Sequence, residues 1–376
     1  NMILPQKAFS DTILYLDMDS LLKNLEVFQR LVAKNVKIMA MIKANAYGTG
    51  AVTIAKALEK KNIDYFGVAY ADEGNELRIN GIKTPIMVMN PGEKNIDLMI
   101  SQNLEPEIFS EDSLHRYMEF IQQKNISDGK IHIKVDTGMN RLGFKIKDLP
   151  MVIESLKNNP SVKVLSIMSH FASADISKED AFTRKQNTDF NFFCEKIESE
   201  LGYKCTRHIS NTSATERHTA FNADMVRIGI GLYGHTPINN TELSLSPVAH
   251  LYSKVSHIHF IREGEGVSYG RDYIAKEDRK IATIPIGYAD GFPRLLSNRV
   301  GKMFINGKLY PVIGKVCMDM TMLDISDSAI KVGDPVEIFG SNIKIIDFAK
   351  NCKTTCYEVL TRLSSRIDRI PIHNQE

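Results

Sequence analysis

The chain has 376 residues, 43% of them hydrophobic, which is too long for one small domain and long enough for two cores. Its 47 Lys plus Arg nearly balance 45 Asp plus Glu with no basic stripe, which argues against nucleic acid or an anionic membrane as partner and for a small molecule. The cysteines (Cys194, Cys205, Cys317, Cys352, Cys356) are odd in number and scattered, and no apolar run approaches the ~20 residues of a bilayer span, so the expectation is a soluble, cytoplasmic chain with reduced thiols and no metal site.

Thr12 to Asp17 reads as an early strand that precedes the first helical pattern and is expected to pair with a second domain. From about residue 20 to 230 strand and helix patterns alternate with short links. The strand segments are 37–42, 65–69, 85–89, 105–109, 132–136, 164–170, 207–210 and 225–230; Ala51 to Lys60, Asp112 to Gln123 and Lys178 to Leu201 have helical apolar spacing. Eight such units predict an α/β chain whose N-terminal part, residues 10–242, is a (β/α)8 TIM-type barrel. After Leu243 the texture changes to alternating strands at 249–261, 280–289, 302–314, 321–326 and 334–340, with Asn306-Gly307 as a hairpin turn. Residues 243–376 are therefore expected to form a C-terminal antiparallel β domain without helices, joined by the N-terminal strand of residues 1–17.

Met41 to Gly50 carries the strongest chemical signal. An apolar strand ends at Ile42, and Lys43 is followed by a turn of small residues containing Tyr47, Gly48 and Gly50. A lysine at the C-terminal end of a buried parallel strand is partly desolvated, so its amine is more easily freed to attack an aldehyde. In a barrel the chemistry sits at that end of the strands. The other ends supply Asp136 to Arg141, His170, Asn211-Thr212-Ser213, and Arg227 before Gly229-Ile230-Gly231. Thr212 and the amides near Gly229 and Ile230 read as a phosphate cradle. Singly, each has a plain structural account: Lys43 surfacing from a core strand, His170 as a satisfied core histidine, Arg227 as a salt bridge, Thr212 as a helix cap. Lys134, inside a strand, needs a partner or a modification if it faces the interior.

Taken in order, MIKANAYGTG, HIKVDTGMNRLGF, MSHFASAD, HISNTSATERH, MVRIGIGLYG, GVSYG, IPIGYADGFPR and GKVCMDM resemble the pyridoxal-phosphate-dependent alanine racemase family across essentially the whole chain. The resemblance implies an isomerase that interconverts L- and D-alanine with two bases and supplies D-alanine for peptidoglycan. It implies pyridoxal 5'-phosphate held covalently on Lys43, which also serves as one base, with Tyr269 of a head-to-tail homodimer partner as the other. Tyr47, Thr212, Gly229 and Ile230 match phosphate contacts, Asn211 lies beside them, Arg227 matches the group facing the pyridine nitrogen, and His170 links Arg227 to Tyr269. Arg141 matches a contact to cofactor and substrate carboxylate, Lys134 a lysine that is often carbamylated, Met318 and Asp319 substrate-side residues, and Tyr288 and Arg294 the access channel. At Ser365 many members carry tyrosine, a departure that leaves a serine-accepting racemase as an alternative. An amino-acid decarboxylase and a noncatalytic pyridoxal-phosphate carrier are more distant ones, opposed by Arg227 and by Tyr269 with its β domain respectively. PIMVMNP, EPEIFS and GLYGHTPINN also resemble the racemase half of bifunctional chains led by a muramoyl-tripeptide ligase. The Asn1-Met2 start is compatible with such an upstream portion, or with a trimmed membrane anchor.

Overall fold

The computed structural model describes residues 10–92, 94–239 and 241–373. It divides into two compact units, one of Leu22–Ala46 and Ala51–Ser246, the other of residues up to Leu21, Tyr47–Gly50, and Pro247 onward. The first strand, β1 (Ile13–Asp17), belongs to the second of these units.

The other unit is a barrel of eight parallel strands: β2 (Lys37–Met41), β3 (Tyr65–Val68), β4 (Ile86–Val88), β5 (Glu105–Ile108), β6 (Gly129–Lys134), β7 (Val162–Met168), β8 (Thr206–His208) and β9 (Met225–Ile228). Their ladder runs β8-β7-β6-β5-β4-β3-β2-β9. It closes through Asp224 N–H donating to Arg207 O at 3.0 Å and Arg227 N–H to Ser210 O at 3.0 Å. Every expected strand is present, and β6 starts earlier than the apolar pattern shows. Its polar lead, Gly129-Lys130, is held by parallel pairing with Val162 and Lys163 rather than by hydrophobic content.

Alternation along these strands places Ile108, Ile131, Ile133 and Ile167 against the helices, in a cluster with Leu114, Phe190 and Phe193. The opposite face is polar. Glu105, Glu107, His132, Lys134, Ser166, His208 and Arg227 are all buried, so the barrel interior is a hydrogen-bonded network rather than the layered aliphatic core usual for this architecture.

In the other unit β1 is central. It runs antiparallel to β10 (Ala249–Lys254) on one side and parallel to the chain's last strand on the other. Further strands are β11 (His257–Ile261), β12 (Gly266–Val267), β13 (Tyr273–Ile274), β14 (Arg279–Ile284), β15 (Lys302–Ile305), β16 (Lys308–Pro311), β17 (Thr321–Asp324), β18 (Pro335–Phe339) and β19 (Asp368–Ile372). They form sheets of order β16-β15-β18-β10-β1-β19, β11-β14-β17 and β12-β13. Asn306 and Gly307 both take positive φ, 46° and 86°, as a two-residue hairpin of mirror-image type requires.

Two features depart from the sequence expectation. The β1–β19 pair is parallel, and the unit contains two helices, Ile345–Asn351 and Cys356–Thr361. Each is under two turns, too short for a 3.6-residue periodicity to register, and each is fixed by packing of a few residues such as Ile345, Phe348 and Leu360. All five cysteines are free, and among the described residues no helix is long and apolar enough to cross a membrane.

Candidate active site

Lys43 follows β2 directly and opens a left-handed turn. Ala44, Asn45, Ala46 and Tyr47 have φ of 52°, 54°, 51° and 54°, a conformation that costs L-residues about 1–2 kcal/mol each. The surroundings hold it. Ala44 N–H donates to Glu73 Oε1 at 2.6 Å, Ala46 N–H to Ile42 O at 2.9 Å, and Ala51 N–H to Asn45 Oδ1 at 2.8 Å. Glu73 also accepts from Ala69 and Tyr70 N–H, at 2.6 and 3.1 Å, so one carboxylate ties the Lys43 turn to the end of β3. Sequence reasoning missed Glu73, although a glutamate three residues past a strand-to-helix turn is a capping signal. Strain concentrated in the turn that follows one lysine is the kind of cost that persists at functional sites. Burial, and after it the nearby Arg141 guanidinium, hold the Lys43 ammonium below the ordinary lysine pKa.

Arg227, 3% exposed, organises the barrel interior. One of its terminal nitrogens, Nη2, lies 3.0 Å from His170 Nδ1 and donates to Ser169 O at 2.6 Å and Ile209 O at 3.1 Å; Nη1 lies 2.8 Å from His208 Nδ1. A guanidinium only donates, so both Nδ1 atoms must accept and both imidazoles are the neutral, Nε2-protonated tautomer. Burial, with Arg227 next, keeps His170 and His208 well below the usual histidine pKa, in agreement with that tautomer. From His208 the donors run one way: Nε2–H to Ser166 Oγ at 2.8 Å, Ser166 O–H to His132 Nδ1 at 2.6 Å, and His132 Nε2–H to Glu105 Oε2 at 2.9 Å. Burial, eased by Glu107, lowers the Arg227 pKa to about 10, so it stays charged at neutral pH. On the other side His170 keeps its Nε2–H to donate outward; Asn211 Nδ2 is 3.5 Å away.

The loop after β6 turns on Asp136, whose Oδ1 accepts from Gly138 and Asn140 N–H at 2.9 and 3.1 Å, while Oδ2 pairs with Lys145 at 2.7 Å. Gly143 (φ 127°) is required there, since a Cβ would lie 2.7 Å from Asp136 N. The loop presents Arg141 exposed and, among the described residues, without an ion-pair partner. Lys134 points inward, 3.4 Å from Glu107 Oε1.

At the end of β9, Gly229 N–H donates to Thr212 Oγ1 at 3.2 Å, and Gly231 is so close that a Cβ would sit 2.5 Å from the Phe28 ring and 2.9 Å from the Thr212 methyl. Among the described residues the amides of Ile230 and Gly231 reach no acceptor. Unspent amides beside a hydroxyl, a lysine with a lowered pKa and a buried guanidinium form a donor set that fits pyridoxal phosphate: anion, aldehyde and ring nitrogen each find a suitable group.

The remaining expected residues lie in the other unit. Tyr47 is buried with its ring 5.9 Å from that of Tyr357, and burial pushes its hydroxyl pKa up. Arg369 Nε donates to Gly48 O at 3.1 Å, pinning the turn behind Tyr47. Tyr269, 71% exposed, shares a groove with Met318 and Asp319. Its backbone is set by Ser268 (φ 69°), whose hydroxyl donates to Lys315 O at 2.7 Å. Tyr288 N–H donates to Cys317 O at 3.0 Å, which places it beside that groove, while Arg294 starts a separate short turn at 294–296. Asp319 is held at 2.6 Å by Arg366, which also binds Asp290 at 2.6 Å; Ser365, next in the chain, is exposed.

Comparison with known proteins follows the same division. Residues 16–237 match the family model described as alanine racemase, N-terminal domain, and residues 248–371 match alanine racemase, C-terminal domain. An alanine racemase 2 from Caldanaerobacter subterraneus subsp. tengcongensis is 37% identical over 372 residues, covering 96% of this chain and 94% of its own. An alanine racemase from Clostridium novyi is 37% identical with 96% and 95% coverage. Among solved structures, an alanine racemase from Clostridium difficile 630 superposes with a TM-score of 0.92 at 37% identity, covering 98% of this chain and 97% of its own. One from Bartonella henselae with covalently bound pyridoxal phosphate gives 0.87 at 29% identity, with 96% and 100% coverage.

Proposed function

The chain belongs to the alanine racemase family and is an amino-acid isomerase, and from that premise we propose that it interconverts L- and D-alanine with pyridoxal phosphate, using Lys43 and the partner subunit's Tyr269 as opposed bases. The observation that carries the assignment is the pairing of a half-buried Lys43 of lowered pKa, at the head of a strained turn, with the one-way donor chain from Arg227 to His170. Thr212, Gly229 and Ile230 would hold the phosphate, with Tyr47 as a further contact and Asn211 alongside. Arg227 would face the ring nitrogen, and Arg141 would take the substrate carboxylate. Bound there, pyridoxal phosphate supplies the electron sink that acidifies the amino acid's Cα–H.

The protein groups then manage protons. Inversion requires removal from one face of Cα and return on the other, so one base on each side suffices. Lys43 Nζ serves one face, because burial lowers its pKa and so makes the free amine that accepts a proton easier to reach. Tyrosine ionises near pH 10 and must be helped toward phenolate. The neutral His170 gives that help, donating its Nε2–H to the phenolic oxygen while Arg227 holds the ring from behind. Arg227 stays protonated at neutral pH and can only donate, so with the cofactor bound it would leave the ring nitrogen unprotonated and the electron sink weak, which would limit transamination.

The Tyr269 groove supports a head-to-tail homodimer. Tyr269, Met318 and Met320 are 71, 52 and 50% exposed, and an open catalytic tyrosine with two open methionines beside it suits a face that a second copy covers. Mixing two inactive variants tests both this and the base assignment. Lys43→Ala and Tyr269→Phe, co-refolded, should regain about a quarter of the wild-type sites, since half the random dimers carry one intact Lys43/Tyr269 pair. No regain from the mixture, with dimers shown to exchange, would place Tyr269 in its own subunit's site. Its product would serve peptidoglycan synthesis, and five free cysteines fit a reducing cytoplasm.

A further inference from the structure

Glu107 is a buried carboxyl near Arg227 that the mechanism leaves unused. It is 0% exposed, it lies on β5 with its side chain inside the barrel, and neither carboxyl oxygen has a well-formed hydrogen bond. Its nearest cation is Lys134 Nζ at 3.4 Å, itself 6% exposed. Such a carboxyl is costly to bury, and removing one partner of a buried pair leaves the other uncompensated. The surroundings explain why it is tolerated. Lys134 and Arg227 are two buried cations in one interior, with the exposed Arg141 near enough to act on Lys134, and Glu107 is an acidic group set against both Lys134 and Arg227. Burial raises the Glu107 pKa and lowers that of Lys134, while Lys134 and Arg227 draw Glu107 back toward the anion.

The family resemblance implies a carbamate on Lys134, which would form as the free amine adds to carbon dioxide and releases a proton. Here a carboxyl from the neighbouring strand already lies 3.4 Å from Nζ. A carbamate would set a second carboxylate in contact with the first, and two such groups in a buried site cannot both ionise cheaply. We propose that Glu107 is a built-in anion that replaces the carbamate: it holds Lys134 as an unmodified side chain, and the pair fixes the charge beside Arg141 and Arg227. Glu107 is thus a positioning residue, acting on substrate through Arg141. This role rests on the racemase reading above, but its first test does not.

Wild-type protein equilibrated with 13C-bicarbonate and examined by 13C NMR should show no protein-bound carbamate carbon, whether or not the preparation racemises anything. A stoichiometric carbamate resonance lost on Lys134→Ala would overturn the proposal. Glu107→Gln keeps the shape and removes the charge. With pyridoxal phosphate bound it should raise the KM for L-alanine by roughly tenfold to a hundredfold, the range for losing a charge-assisted contact. Added bicarbonate should then restore activity as the carbamate resonance appears. A folded Glu107→Gln with wild-type KM and no response to bicarbonate would equally overturn it. If that variant fails to fold, the wild-type spectrum still decides.

Discussion

Lys43→Ala is expected to abolish racemisation of L-alanine, with a fall in kcat on the order of 10⁴-fold or more, because covalent anchor and proton carrier are lost together. The variant should also lose the visible absorbance of lysine-bound pyridoxal phosphate. It should not unfold. The left-handed turn is held by backbone bonds to Glu73, Ile42 and Asn45 rather than by the Lys43 side chain, so its thermal midpoint should stay within a few degrees of wild type. A variant that keeps measurable turnover without added amine would remove Lys43 from the chemistry. One that merely melts early would make it a structural lysine.

Tyr269→Phe is the second large effect, and its signature is directional. The substitution removes only the phenolic oxygen and keeps the ring, so packing of the side chain is retained. Cofactor binding and stability should therefore persist while turnover falls by about 10²–10⁴-fold, the worth of a positioned proton-transfer group. The loss should fall mainly on abstraction from the L-enantiomer, and solvent-deuterium exchange at Cα separates the two directions. D-Alanine should still exchange its Cα proton through Lys43, while L-alanine should exchange hardly at all. Equal retention of exchange from both enantiomers would show that a single base serves both faces.

Much of this was legible in the chain itself. The eight strands and the residues at their C-terminal ends declare themselves because short β-rich segments of four to seven residues alternate regularly with helical patterns along the chain. Asn306-Gly307 announced its hairpin for a local steric reason, since both residues tolerate positive φ. What could not be read was contact between distant segments. Glu105 and Glu107 look like surface charges in EPEIF until alternation in a closed barrel turns both inward, where they meet His132 and Lys134. Ser166 and His208 are ordinary strand residues in sequence; their place in the donor chain depends on three neighbouring strands being in register. The two short helices after β18 and the parallel β1–β19 pair were likewise set by packing, not by local pattern.

Initial rates of D-enantiomer formation from L-alanine and from L-serine, at equal concentration with pyridoxal phosphate present and read by chiral chromatography, test the central claim most directly. At the exposed Ser365 many members of the family the chain resembles carry tyrosine, so serine is the competitor that matters. Faster formation of D-alanine is the expected result and makes Ser365 a tolerated substitution. Faster formation of D-serine, or no D-product from either substrate, would contradict the account.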